Sequence, residues 1–195
     1  MMYNIIFLDV DGVLNGYNKL NVLGWDIACK TKCKKIQNWY RNLTDPCGVH
    51  EAKIKRLAKI VHSTNSKVVM SSCWRHSFWN VPYEEKTDRQ KKLTDLLKKY
   101  NIEVIDITPR SHNGRREDEI ICWLSKNEEK VKSFIILDDE SADLECFKNS
   151  NLIQTVVFEK NTRKKLSTGL NDTHVKTAID YLNNKKEARY VRNRY

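Results

Sequence analysis

Two acidic residues one position apart close an apolar run near the start of the chain. In FLDVDGVLN (residues 7 to 15), Asp9 and Asp11 flank Val10, and Gly12 follows at once. Like charges set where a buried strand should stop repel one another, and the arrangement is tolerable only where protons or a cation neutralise it. Taken alone, DVDG also reads as a polar turn with glycine at positive φ. An EF-hand calcium loop is excluded, because it wants glycine at its sixth position and Gly12 is the fourth counted from Asp9. Against the plain turn stands a second acidic pair, Asp138 and Asp139 in FIILDDES, again at the end of an apolar run. Carboxylates gathered from both places suit a hard divalent cation. Mg²⁺ is usually held by one or two carboxylates together with water and phosphate.

A phosphate ester would give these residues distinct work. One carboxylate of the first pair can attack phosphorus and split hydrolysis into two easier steps. The other, two residues away on the same side of an extended segment, can protonate the leaving oxygen and later activate water. The charge on the transferring group then needs a cation, a hydroxyl and a basic side chain. Ser71, where KVVMS ends, supplies the hydroxyl, with Ser72 beside it; Arg75 in SSCWR is a candidate anion contact. In SHNGRREDEI, Asn113 reads as a helix N-cap that places Arg115 and Arg116 in the first turn, where either could reach a bound phosphate. Glu117, Asp118 and Glu119 follow directly, so a solvated first turn is the plainer alternative.

The positioning elements are legible from periodicity. YNIIFLD (3 to 9), KVVMS (67 to 71), EVIDI (103 to 107), SFIILD (133 to 138) and IQTVVFE (153 to 159) read as strands buried on both faces. Helical spacing joins Ile54, Leu57, Ala58 and Val61, then Leu93, Leu96, Leu97 and Tyr100, then Ile120, Trp123 and Leu124, and last Val175, Ala178, Ile179 and Leu182. Strand alternating with helix implies an α/β, doubly wound, mostly parallel sheet with helices on both faces. Ligands of such sheets bind outside the carboxyl ends of the strands, where Asp9, Asp11, Ser71, Ser72, Asp138 and Asp139 all fall.

With 195 residues, 40% of them hydrophobic, one domain spanning 1–195 is the expectation. A loop-rich insert at about 16–48 and an irregular stretch near 76 to 85 are too short for a separate cap. No stretch approaches eighteen consecutive apolar residues and no signal-peptide pattern precedes IIFLDV, so a soluble, cytoplasmic chain is expected. Lys and Arg number 35 against 25 Asp and Glu, a net charge of +10, concentrated in CKTKCKK, KNTRKK and a basic tail at about 185–195. That excess favours phosphate-bearing partners. Six scattered cysteines fit reduced thiols better than a disulfide scaffold. Cys29, Cys33, Cys47 and His50 have the ligand types of a structural zinc site, at a spacing looser than that of well-attested zinc modules.

These motifs together resemble the haloacid dehalogenase (HAD) superfamily of phosphotransferases. FLDVDGVLN is similar to its first motif, which implies Asp9 as nucleophile and Asp11 as acid–base. Ser71 matches the hydroxyl of the second motif. FIILDD matches the fourth, which implies that Asp138 binds Mg²⁺ directly and Asp139 supports it, with Asp9 and Asp11 completing the metal site. The third motif is usually a lysine, for which Arg116 stands here. DGVLN, VVMSSCWR, RREDEIICWL and FIILDDES further resemble the small HAD phosphatase domains associated with RNA-repair proteins. That resemblance implies a five-stranded Rossmann-like sheet of order 5-4-1-2-3 with the Mg²⁺ site at the ends of strands one and four. With a minimal cap and a net charge of +10, a Mg²⁺-dependent phosphatase acting on nucleic-acid terminal phosphates is expected, ahead of nucleotides or sugar phosphates. The rival expectation is a non-catalytic protein that keeps the HAD fold and holds RNA or DNA on its basic patches.

Overall fold

The computed structural model describes residues 2–15, 30, 33–35, 48–75, 79–158, 165–167 and 169–184. Most of the insert at about 16–48, Cys29 and Cys47 of the zinc candidates, and the basic tail lie outside the described residues.

Five strands, β1 (Tyr3–Leu8), β2 (Ser66–Met70), β3 (Val104–Ile107), β4 (Val131–Asp138) and β5 (Leu152–Gln154), form one parallel sheet of order β3-β2-β1-β4-β5. This is the expected order read from the opposite edge. Among the described residues, the long helices between and after them are α1 (Glu51–Thr64), α2 (Asp88–Lys99), α3 (Arg116–Asn127) and α4 (Asp172–Asn184). Among the described residues no helix is long and apolar enough to cross a membrane.

Alternation along the central strand builds two cores. Ile6 and Leu8 of β1 face one way, packing with Ile54 and Leu57 of α1, Leu93 and Leu97 of α2, and Val175 and Ala178 of α4. Ile5 and Phe7 face the other way, against Ile120, Trp123 and Leu124 of α3. On that second face Phe7 meets Trp123 and Phe134 edge-on, with ring centroids 5.4 and 5.8 Å apart. Burying a side chain of this size contributes about 1.5–3 kcal/mol. Phe7 therefore anchors the strand that delivers Asp9.

The fifth expected strand is not continuous. Residues 153–159 divide at Thr155 into β5 and β6 (Val156–Phe158), and β6 pairs antiparallel with β7 (Lys165–Ser167). The reason is the length of the neighbour: β4 ends at Asp138, which lies opposite Gln154. Thr155 makes the last link, its amide donating to the Asp138 carbonyl at 2.9 Å and its hydroxyl to the Gly12 carbonyl at 2.8 Å. Beyond it the chain has no parallel partner and takes β7 instead.

Candidate active site

The register of β1 against β4 sets Leu8 opposite Leu137, and the Asp9 amide extends the ladder by donating to the Leu137 carbonyl at 2.9 Å. Asp9 and Asp138 therefore emerge side by side at the carboxyl end of the sheet, only 4% and 1% exposed. Past Asp9 the chain coils tightly, with the Leu14 amide bonded to the Val10 carbonyl at 2.9 Å. Gly12 sits in this coil at φ +74°, and a Cβ added there would lie 2.2 Å from Cγ of Asp139. Glycine is thus required twice over, by backbone conformation and by the close approach of the second acidic pair.

Asp9, Asp138 and Asp139 each offer a carboxylate oxygen within 4.8 Å of the others. Burial, and then the Asp138 charge, push the Asp9 carboxyl up to about 7. Burial likewise raises Asp138, to about 6, against the pull of Arg116. Arg116 Nη1 stands 2.5 Å from Oδ2 of Asp138 and 3.1 Å from Oδ1 of Asp9. Burial disfavours its charge, but Asp138 and Asp9 outweigh burial and hold it firmly protonated. Arg115, by contrast, is exposed and pairs with Glu117.

The start of α3 differs from the expectation in detail. Its N-cap residue is Arg115 rather than Asn113, and the Arg115 side chain makes no capping bond. Asn113 instead braces the loop, accepting from the Arg115 amide at 3.0 Å and donating to Asp118 at 2.6 Å. The first helical amides are answered by Asp143, whose carboxylate accepts from Arg116 N at 3.2 Å and whose carbonyl accepts from Glu117 N at 3.0 Å. This tether fixes the turn that projects Arg116 toward the acids.

Asp11 stands apart from the three-carboxylate group. Its Oδ1 accepts from Nδ2 of Asn15 at 2.7 Å and its Oδ2 from the Trp74 indole N–H at 2.9 Å. Asn15 in turn accepts from the Gly12 amide at 2.6 Å, so turn and acid are locked together. Ser71 and Ser72 are buried just past β2. The Ser71 amide donates to the Leu8 carbonyl at 2.8 Å, its hydroxyl lies 3.5 Å from that of Thr108, and the Ser72 hydroxyl favours the ionised form of Asp9.

Arg75 is the residue whose surroundings depart furthest from its reading as an anion contact. It is 5% exposed and paired with the equally buried Glu119 at 2.7 Å, while its Nη1 donates to the Ser72 carbonyl at 3.0 Å. Its charge is committed to the wall beneath the serines. Sequence reasoning missed Trp74, Asn15, Asp143 and Thr155. Trp74 carried a readable signal, since an indole N–H next to the Ser71–Ser72 strand end is a ready donor for a carboxylate across the cleft.

The donor set fits a hard divalent cation. All the converging atoms are carboxylate oxygens, and Oδ1 of Asp9 is buried with no hydrogen bond beyond its ion pair with Arg116. Among the described residues no other group of three His, Cys, Asp or Glu side chains closes up in this way. Cys33 and His50 are described, but the other two zinc candidates are not, so that ligand set is not defined by the structure.

Comparison with known families agrees with the fold. Residues 5–175 match the family described as the HAD domain in Swiss Army Knife RNA repair proteins, and the chain belongs to that family. No curated protein and no solved structure matches it.

Proposed function

We propose that the protein is a Mg²⁺-dependent phosphatase that hydrolyses a phosphomonoester through an aspartyl-phosphate on Asp9, with nucleic-acid ends as the leading substrate class and nucleotides behind them. The observation that carries this reading is the convergence of Asp9, Asp138 and Asp139 beside Arg116, in a chain of the HAD family. Asp9, Asp138 and Asp139 would hold the ion, with the Asp11 backbone as a further oxygen donor. When bound, Mg²⁺ supplies positive charge that favours the ionised acids and offsets charge on the phosphoryl oxygens.

In the first step the Asp9 carboxylate attacks phosphorus, the ester P–O bond breaks, and the Asp11 carboxyl gives its proton to the leaving oxygen. In the second, Asp11 takes a proton from water as that water attacks phosphorus, and the Asp9–phosphate bond breaks to release inorganic phosphate. The bonds from Asn15 and Trp74 aim the Asp11 carboxylate in both steps. Arg116 and the hydroxyls of Ser71 and Ser72 balance charge on the transferring group. The family's association with RNA repair and the net charge of +10 support a polyanionic substrate.

The test is release of phosphate from a generic aryl phosphate with and without Mg²⁺, and its loss in Asp9→Asn, which keeps size and removes the nucleophile. A fall of roughly 10³-fold or more is expected for loss of a nucleophile that acts with its partners as a unit. If the wild type releases no phosphate from a broad panel of esters with Mg²⁺ present, the catalytic reading fails and the nucleic-acid-binding alternative stands.

A further inference from the structure

Beside the acid cluster lies a cavity of about 520 Å³, of a size that ordinarily holds a whole small molecule rather than one phosphoryl group. Arg116 marks its inner end and Arg75 and Glu119 form one wall. The Glu119 carboxylate is answered there by Arg75 at 2.7 Å and by the Ser111 amide at 3.3 Å, so that wall is close to neutral. The outer part lies nearer the solvent. Arg110 and His112, both exposed, line it from the loop that follows β3, and Glu119 is the one carboxylate among its described lining residues. The cavity therefore carries basic groups at two depths, one against the reacting acids and one nearer the solvent.

A second depression of about 300 Å³ shares Cys73 with the first and adds Trp74 and Arg89. The two adjoin at Cys73, with basic side chains lining each and the Trp74 indole bonded to the Asp11 carboxylate. A charged groove interleaved with aromatic side chains is how proteins follow a single nucleic-acid strand.

We propose that the cavity lined by Arg110 and His112 is a subsite for the phosphodiester next to the terminal phosphate, which makes the preferred substrate the end of an oligonucleotide strand rather than a free mononucleotide. This rests on the phosphatase reading. Arg110 donates to the non-bridging oxygens of that phosphodiester, His112 adds a further ring N–H, and Arg116 remains with the group being transferred.

The experiment measures kcat/KM of the wild type and of Arg110→Ala/His112→Ala on three substrates: an aryl phosphate, a nucleoside monophosphate, and a hexanucleotide phosphorylated at either its 3′ or its 5′ end, each over a range of NaCl. The wild type should prefer one of the phosphorylated hexanucleotides to the mononucleotide. The variant should lower the ratio of hexanucleotide to aryl phosphate activity roughly tenfold and flatten the salt dependence on the hexanucleotide by about one contact. Arg110→Gln should fall between the two. A wild type that handles mononucleotide and hexanucleotide alike, or a variant that loses both activities in proportion, overturns the subsite while leaving the phosphatase intact. A wild type inert on the aryl phosphate and on every other ester removes both.

Discussion

Gly12→Ala isolates the contact that brings the two acidic pairs together. The new methyl group is asked to accept φ +74°, a left-handed conformation worth about 1–2 kcal/mol against an L-residue. It must also clear Asp139, whose Cγ, Oδ2 and Cβ would lie 2.2, 2.5 and 2.6 Å away. Rotating the Asp139 side chain moves Cγ and Oδ2 but leaves Cβ in place, so the backbone must give as well. Overpacking of this kind adds about 1–3 kcal/mol. The sum is about 2–5 kcal/mol, or a fall in Tm on the order of 10 °C for a chain of this length. Gly114→Ala is the control, because Gly114 has nearly the same φ, +72°, and nothing within 4 Å of an added Cβ. It should show only the conformational part. Thermal unfolding of both variants, followed by circular dichroism, gives the steric part by difference. A shift of Asp139 should also raise the Mg²⁺ concentration needed for half-maximal phosphate release in Gly12→Ala but not in Gly114→Ala. If the two variants melt together, the close approach of Gly12 to Asp139 has been misjudged and the reasoning about the turn falls with it.

Removing one partner of the buried Arg75–Glu119 pair leaves an uncompensated charge, so Arg75→Met should destabilise by about 3–5 kcal/mol in urea unfolding, and Arg75→Met/Glu119→Leu should recover much of that. In the pH dimension, Asp9 and Asp138 sit near 7 and 6 in the folded chain against an ordinary 3.8, so in the absence of a divalent cation the folded state holds protons that the unfolded state has released. Stability with EDTA should therefore decline as pH rises from about 4 toward 7 and level off above, and added Mg²⁺ should restore more of it at pH 7.5 than at pH 5. The carboxylate of Glu51, held near 2 by Lys99 and Tyr100, loses its contribution as pH falls through the ordinary value of 4.5, so it opposes the decline only at the acid end of that window. His174, lowered by burial, acts in the opposite sense within it, so the comparison is with Asp9→Asn, which keeps His174 and loses the largest titrating group. A decline of equal size in Asp9→Asn would assign it elsewhere.

The sheet was readable because its strands are apolar runs with acids or serines at their ends, and alternation within β1 sorts Ile5 and Phe7 from Ile6 and Leu8 without reference to any other part of the chain. Asp9, Asp138 and Asp139 were readable for the same reason: their positions follow from where a strand stops. Arg116 was narrowed only to one of two neighbours, because which arginine turns inward depends on Asp143, twenty-seven residues away and silent in the local pattern. The break at Thr155 was invisible, since IQTVVFE has uniform strand character and what divides it is the end of β4. The buried partner of Arg75 was hidden for a related reason. A basic residue past a strand end looks like an anion contact until the helix carrying Glu119 is packed against it.

Thr155 reaches back 143 positions to Gly12 and at the same time holds the end of β4 at Asp138. One residue bonds the carbonyl of Asp138 through its amide and the carbonyl of Gly12 through its hydroxyl, so the peptide groups next to both acidic pairs share a single tie. Neither pair can swing outward alone without breaking that tie. Hydrogen exchange at the Thr155 amide therefore times the opening of the acidic site as a unit, and it does so from a residue that takes no part in the chemistry.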